Sequence, residues 1–358
     1  MGQLKIKQIM NYRTLGKTGL KISDVGMGTW QLGGHPWGWD APDEDESVRA
    51  LYRFVELGGN FLDTAWVYGR VDEAGDISGG HCSEELIGQF LKESGNAGKV
   101  IVASKIPPKD RNWPARFGIN INDVFPSQYI EDMVDSSLST LKMDSIDIMQ
   151  FHVWQDEFAS HDEWKQTIQK LTREGKVKHW GISINDYQPS NCLKTLDTGL
   201  ISTIQFIFNI FHQKPTEKLL PYAAEHNIGL IARVPLDEGG LTGRITLDSK
   251  FDDDMRSVYF NQERLPEFIR RTDELKKILG DEAKTLAELA LRYILSFDAV
   301  STVIPGTRKV ATVEANAAVS DGRKLSEALM VELKNHVWER NFYVDRDPSL
   351  ESSGFIEK

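Results

Sequence analysis

Val25-Gly26-Met27-Gly28-Thr29-Trp30-Gln31 is a short apolar run that leads into glycines and a polar exit, and its reading decides the fold. An open, doubly wound sheet carries a Gly-x-Gly-x-x-Gly phosphate loop directly after its first strand. Gly26 and Gly28 keep the start of that spacing, but Gln31 stands where the third glycine is due. The segment therefore reads as the first strand of a different α/β architecture.

Working outward, the same kind of run recurs at 60–65, 100–105, 146–152, 177–183, 203–209, 229–235 and 299–305, after the first at 25–29. Each run is too short for a helix and is bounded by Gly, Pro or charge, as buried parallel strands are. Amphipathic stretches at 44–57, 83–91, 128–141, 164–174, 217–225 and 285–295 separate them. In the first of these, Val48, Leu51, Tyr52 and Val55 form one apolar stripe. Strands alternating with helices, without an internal linker, predict a single (β/α)8 TIM barrel. Short, right-handed connections favour the same answer.

Residues 12–23 alternate around Gly16-Lys17-Thr18-Gly19 and read as a β-hairpin before the first barrel strand. The Gly-Lys-Thr triplet is not a phosphate loop, because position 11 is Asn and no strand precedes it. The expected plan is one domain over 1–358, with a core at about 12–320. Residues 1–10 form a short extension, and 321–358 a C-terminal helix and tail. Residues 238–265 are long and irregular, with acidic Asp252–Asp254, and would lie at the barrel mouth.

The 358 residues carry a net charge of −11. That balance argues against nucleic acid and against an anionic membrane surface. Cys82 and Cys192 form no CxxC pair, which fits a reducing compartment. His81-Cys82 lacks the rest of a zinc site. The opening MGQLKIKQIM has no apolar core of the secretion-signal kind, and no run reaches the roughly 18 apolar residues a membrane span needs. The expectation is a cytoplasmic protein without a metal; oligomeric state has no signature here.

Chemistry gathers at strand ends. Asp63 closes the second strand, Lys105 the third and His152 the fourth, while Tyr68 follows Asp63 in the loop. A buried carboxylate and a buried ammonium each need a counter-charge, and neighbouring strands offer each to the other. Active sites of this barrel sit at that end. Tyrosine is a weak acid with a reference pKa of about 10, and an adjacent ammonium lowers it. Tyr68 beside Lys105 is thus an acid–base candidate for a carbonyl oxygen that gains charge, with His152 hydrogen-bonding that oxygen.

With Asp63-Thr64-Ala65, Tyr68-Gly69, Lys105 and His152 in this order, the sequence resembles the aldo-keto reductases of bacterial type, from Tyr12 to about Ala318. The resemblance implies that the hairpin closes the bottom of the barrel and that Asp63, Tyr68, Lys105 and His152 are catalytic. It also implies an NADP cofactor and a small carbonyl substrate. Trp180-Gly181-Ile182-Ser183 resembles the motif whose serine, with a nearby asparagine, holds the nicotinamide amide. Here Ile184 intervenes before Asn185. Gln205 matches the glutamine on that amide, and Phe208 the aromatic that stacks on the ring. Thr29, Trp30 and Asp63 join the implied cofactor set. Arg233-Val234-Pro235-Leu236, with Gly239, Leu241 and Gly243, resembles the segment covering the pyrophosphate. Pro305, Gly306, Thr307, Arg308, Thr312 and Asn316 resemble the adenosine-phosphate segment. The Arg308 guanidinium suits a 2′-phosphate, which favours NADPH over NADH.

The resulting expectation is an NADPH-dependent reductase of aldehydes or ketones, with Trp30, Trp66, Trp113 and Trp154 as an apolar substrate wall. One alternative is a regulatory or assembly subunit that binds NADPH with little turnover. Another is a lyase or isomerase using Lys105 as a Schiff base, which Asp63 disfavours. The loops at 36–40, 109–125 and 238–265 carry no code for the substrate.

Overall fold

The computed structural model describes residues 10–33, 43–69, 82–251 and 256–341. The opening extension to residue 9, the loop at 36–40, His81, Asp252–Asp254 and the tail from 342 lie outside the described residues.

Among the described residues one parallel sheet runs β1 (Met27–Gly28), β2 (Phe61–Asp63), β3 (Ile101–Ile106), β4 (Ile146–His152), β5 (Val177–Ser183), β6 (Thr203–Ile207), β7 (Gly229–Arg233) and β8 (Thr302–Val303). Each strand pairs with the next in sequence. Parallel bridges Val25–Val303 and Gly28–Gly306 join the first strand to the last. The bonds Gly26 N–H to Val303 O at 2.9 Å and Thr307 N–H to Gly28 O at 3.1 Å close the ring. The (β/α)8 barrel expected from the sequence is the observed fold. β4 and β5 take the anticipated bounds. β1 and β8 are shorter than anticipated, because their ends meet through single bridges.

The hairpin is present, with Tyr12–Thr14 antiparallel to Lys21–Ser23. Its turn docks at the start of β7, where Lys17 N–H donates to Asn227 O at 2.6 Å. A Cβ on Gly16 would lie 2.2 Å from the Gly229 nitrogen, and φ there is +48°, so both space and conformation require glycine. Leu15 and Ile22 pack on Phe61, Ala103, Ile148, Ile231 and Ile304, the inward residues of the lower barrel. This plug closes the N-terminal ends of the strands and leaves the opposite end as the mouth.

Outside the ring, helices cover the sheet. Helix Glu44–Glu56 starts where Asp43 accepts from Glu46 N–H at 3.0 Å. Its buried face is Ser47, Ala50, Leu51 and Phe54, one step round from the anticipated stripe. Small residues let this helix lie close to its neighbours, while Tyr52 is displaced to the surface and meets Phe90 edge-on. Helices Ser83–Ser94, Ser127–Leu141, Glu163–Arg173, Leu219–Glu225 and Leu286–Leu295 fall where periodicity placed them. Short helices Ile121–Val124, Leu193–Asp197 and Val310–Ala317 were not anticipated; neither was Leu265–Lys277. Beyond the barrel, helix Glu327–Leu333 leads into residues 334–341.

Candidate active site

A period of two carries the barrel interior up to its mouth. Phe61, Ala103, Ile148 and Ile231 line the lower interior. Two residues further along the same strands stand Asp63, Lys105, Gln150 and Arg233, and His152 follows Gln150 by two more. Alternation thus aims one carboxylate, two cations, an amide and an imidazole at one opening.

Lys105 is fully buried, and its Nζ donates to Asp63 Oδ1 at 2.5 Å, to Thr64 O at 2.7 Å and to the Tyr68 hydroxyl at 3.2 Å. All three ammonium protons have acceptors. Asp63 Oδ2 accepts from Gln205 Nε2 at 2.6 Å and from Gln150 Nε2 at 3.3 Å. Thr29 Oγ1 donates to Asp63 O at 2.8 Å, within a chain through Ser83 and Thr64. Thr29 therefore braces the strand that carries Asp63. Burial disfavours the Lys105 ammonium, but Asp63 and Tyr68 outweigh it and hold the lysine pKa above its ordinary value.

The tyrosine corrects the expectation from sequence. Burial pushes the Tyr68 phenol above its ordinary pKa, and the Lys105 charge opposes this without overcoming it. Tyr68 is a protonated phenol at neutral pH. His152 is held well below the ordinary histidine pKa, by burial first and by the Lys105 and Arg233 charges second. It is a neutral imidazole. Its Nδ1 is buried and meets no hydrogen-bonding partner among the described residues. Trp113 meets the His152 ring edge-on at 4.4 Å between centroids, and Trp30 stacks with Tyr68 at 6.0 Å.

The four tryptophans divide. Trp30 and Trp113 flank the mouth. Trp154 is fully buried among Phe125, Phe151, Phe158 and Trp164, and its Nε1 donates to Thr195 Oγ1 at 2.9 Å. Trp66 is buried and donates to Ser136 Oγ at 2.9 Å, against helix Ser127–Leu141. These two belong to packing.

The nicotinamide positions also divide. Ser183 ends β5 in register with His152 on one side and Gln205 on the other. Asn185 is turned to a different task. Its Oδ1 accepts from Ala115 N–H at 3.1 Å, and its Nδ2 donates to Ala115 O at 3.0 Å and to Gln188 Oε1 at 3.1 Å. The amide thus holds the 109–125 loop. Phe208 is fully buried among Phe206, Tyr293 and Phe297, since its place beyond β6 turns it outward into the helix layer.

After β7, Pro235 and Leu241 are buried, and Leu236, Gly239 and Gly243 partly so. Val234, Asp237 and Glu238 hold φ of 52°, 50° and 52°. Left-handed backbone at such residues costs about 1–3 kcal/mol each and persists where surroundings enforce it. Arg233 donates to Ile184 O at 2.9 Å and pairs with Asp186. Burial, with Asp237 and Asp186 nearby, pushes the Glu238 carboxyl up to about 8. On the adenosine side, Asn316 Nδ2 donates to Thr307 Oγ1 at 3.1 Å. Pro305 is buried, Gly306 exposed, and Arg308 and Thr312 are half-buried. Gln31 Oε1 is buried over Gly306 and meets no partner among the described residues.

Sequence reasoning missed Gln150, which period two from His152 marks, and Asp186, Asp237 and Arg340, for which no local signal exists. Among the described residues no group of three or more His, Cys, Asp or Glu is placed to hold a metal ion. No helix of the described residues is long and apolar enough to cross a membrane. Neither Cys82 nor Cys192 is in a disulfide.

A closed barrel whose mouth holds a buried lysine–aspartate pair against a tyrosine and a histidine defines an acid–base site. Residues 24–337 match the family model described as "Aldo/keto reductase family", and the chain belongs to that family. It is an NAD(P)-dependent oxidoreductase acting on small carbonyl compounds and their alcohols. The chain is 28% identical over 319 residues to the aldo-keto reductase YhdN of Bacillus subtilis, covering 87% of this chain and 89% of that one. It is 27% identical to the NADH-specific methylglyoxal reductase of Escherichia coli, covering 88% and 98%. The solved glycerol dehydrogenase AKR11B4 of Gluconobacter oxydans superposes with a TM-score of 0.71 at 27% identity, covering 95% of this chain and 96% of that one.

Proposed function

We propose that this enzyme reduces aldehydes or ketones to alcohols with NADPH, and that Tyr68 is the proton donor. The observation that carries the reading is Lys105 Nζ, held on Asp63 at 2.5 Å and on the Tyr68 hydroxyl at 3.2 Å.

The residues present fit a dinucleotide. Gln31 Oε1 is an orphaned buried acceptor over Gly306, and Ser183 stands in register beside His152. Arg308, Thr307 and Asn316 offer a cation and polar groups for the adenosine end, and the segment Pro235–Gly243 follows β7 at the mouth end of the barrel. When bound, the nicotinamide supplies a hydride to the carbonyl carbon. Ser183 and Gln205 would hold its amide, although Gln205 also steadies Asp63. Asn185 and Phe208 are left out of the set by their positions.

The protein's own work is the proton. The carbonyl oxygen accepts from the Tyr68 hydroxyl and from His152. With Nδ1 of the neutral imidazole lacking an acceptor, the ring proton belongs on Nε2, which makes that atom the donor. As charge develops on the oxygen, the Tyr68 proton moves to it, and Lys105 stabilises the phenolate left behind. Asp63, fixed by Gln205 and Gln150, keeps Lys105 charged and in place. Trp30 and Trp113 form the apolar wall against which the substrate lies.

The test is binding and turnover together. NADPH and NADH are titrated by quenching of the intrinsic tryptophan fluorescence, and their oxidation is followed with a panel of small aldehydes and ketones. Tight binding with turnover supports the reading. Tight binding without turnover on any carbonyl supports a regulatory subunit instead, and no nucleotide binding removes both.

A further inference from the structure

We propose that Asn185 is a positioning residue for the substrate: it clamps Ala115, and through Ala115 it fixes Trp113 against His152 and sets the size of carbonyl compound that the mouth accepts. This rests on the reductase reading above.

Between β3 and the short helix Ile121–Val124, residues 107–120 form neither strand nor helix. Trp113 lies in this stretch. It is 37% exposed, yet its ring stands edge-on to the His152 imidazole at 4.4 Å between centroids. Two residues further on, Ala115 is buried, and three side-chain hydrogen bonds converge on its backbone. Asn185 Oδ1 accepts from its N–H at 3.1 Å, and Asn185 Nδ2 donates to its carbonyl oxygen at 3.0 Å. Gln155 Nε2 donates to the same oxygen at 2.5 Å. An asparagine amide carries the donor and the acceptor of a peptide group. One side chain therefore satisfies both halves of a buried residue's backbone, as a neighbouring strand would.

The clamp is itself held. The second Nδ2 proton of Asn185 goes to Gln188 Oε1 at 3.1 Å. Asn191 Nδ2 donates to that oxygen at 2.6 Å and to Gln155 Oε1 at 2.9 Å. Four amide side chains from the loops after β4 and β5 thus close one hydrogen-bonded ring around a single alanine. Arg233 fixes both chain neighbours of Asn185, donating to Ile184 O at 2.9 Å and pairing with Asp186. A buried polar network is costly when half satisfied, so it specifies one geometry for what it holds.

The consequence reaches the substrate through Trp113. His152 offers its hydrogen bond to the carbonyl oxygen, so the ring beside it flanks the carbons attached to that carbonyl. A fixed ring at this point admits an unbranched aldehyde and excludes a carbonyl flanked by a branched carbon. A mobile ring separates the two poorly.

The test measures kcat/KM with NADPH for propanal and for trimethylacetaldehyde, nucleotide affinity, and backbone hydrogen exchange across residues 109–125. The variants are Asn185→Ala; Asn185→Asp, which keeps the size and the acceptor but loses both donors; and Gln155→Leu, which removes one bond on Ala115. In Asn185→Ala and Asn185→Asp exchange accelerates and the preference for propanal falls roughly tenfold, with nucleotide affinity unchanged. Gln155→Leu moves both readouts the same way by less. The preference is a ratio on one protein sample, so loss of folded enzyme alone does not move it. In a Trp113→Ala background, which has already lost the preference, Asn185→Ala adds nothing. Unchanged exchange overturns the clamp, and accelerated exchange with an unchanged preference overturns its part in selection. Weaker nucleotide binding in Asn185→Ala returns the residue to the cofactor and overturns the proposal. A wild type that reduces neither aldehyde defeats the reductase reading and the selection with it, while faster exchange in the variants would still uphold the clamp.

Discussion

The Lys105 ammonium lies 3.2 Å from the Tyr68 hydroxyl, and no acceptor is closer to that ammonium than the Asp63 carboxylate, at 2.5 Å. Burial lifts the phenol pKa and the lysine counters it, so the two act on opposite halves of a proton transfer. Burial keeps the acid protonated beforehand, and the lysine shelters the phenolate afterwards.

Removing the cation while leaving its partner isolates an anion. Lys105→Met is expected to lower kcat by about two to four orders of magnitude. It should also cost about 3–5 kcal/mol of stability, because Asp63 is left buried and unpaired. The double variant Lys105→Met with Asp63→Asn should recover most of the stability and none of the activity. Urea unfolding beside steady-state kinetics reads both, and a single variant as stable as wild type would contradict the coupling.

His152 is neutral in the folded protein because burial and then the charges of Lys105 and Arg233 hold its pKa down. A histidine depressed on folding contributes stability that is complete above its unfolded pKa of about 6.5 and lost as pH falls through the folded value. Melting temperature should therefore drop between about pH 7 and about pH 5 by more in wild type than in His152→Gln. Equal drops would show that His152 titrates normally.

Glu238 is shifted the other way, to about 8, by burial and by Asp237 and Asp186, with Arg233 and the Tyr259 hydroxyl opposing. Its contribution is complete below the unfolded carboxyl pKa of about 4.5 and is lost as pH rises through about 8. Glu238→Gln should make stability flatter between about pH 6 and about pH 9. Proton uptake by the unfolded chain alone would leave the two curves parallel.

Cofactor preference tests the adenosine end. Arg308→Ala should shift the kcat/KM ratio of NADPH to NADH roughly tenfold toward NADH. Glu46 pulls in the opposite sense. Its Oε1 accepts from Val310 N–H at 2.9 Å, placing a carboxylate at the start of helix Val310–Ala317, two residues beyond Arg308. Glu46→Gln keeps an acceptor, loses the charge, and should move the ratio toward NADPH. A ratio untouched by Arg308→Ala would remove the 2′-phosphate from this end.

Much of the fold was legible because buried parallel strands are written as unbroken apolar runs. Ile146–His152 and Val177–Ser183 needed no correction. The end strands were overdrawn, since their outer residues read as strand but meet neighbours only at the seam. The stripe of helix Glu44–Glu56 was misjudged because Ser47 and Ala50, small enough for close packing, do not look apolar enough to be buried. At the site, Asp63 and Lys105 stood out as charges inside apolar runs, which buried strands tolerate only as partners. Asn185 and Phe208 were assigned by motif position. Asn185 is held by Ala115 and Gln188, and the outward turn after β6 buries Phe208 in the helix layer. The Arg340–Asp237 pair was illegible, since nothing local links residues 103 apart.

The central claim is that Tyr68 gives the proton, and Tyr68→Phe tests it most directly. The variant keeps the ring against Trp30 and removes only the hydroxyl. Single-turnover reduction of an aldehyde by the NADPH-loaded protein should fall by about two orders of magnitude or more, with nucleotide affinity unchanged. Reduction at the wild-type rate in a variant that still binds NADPH would contradict the account.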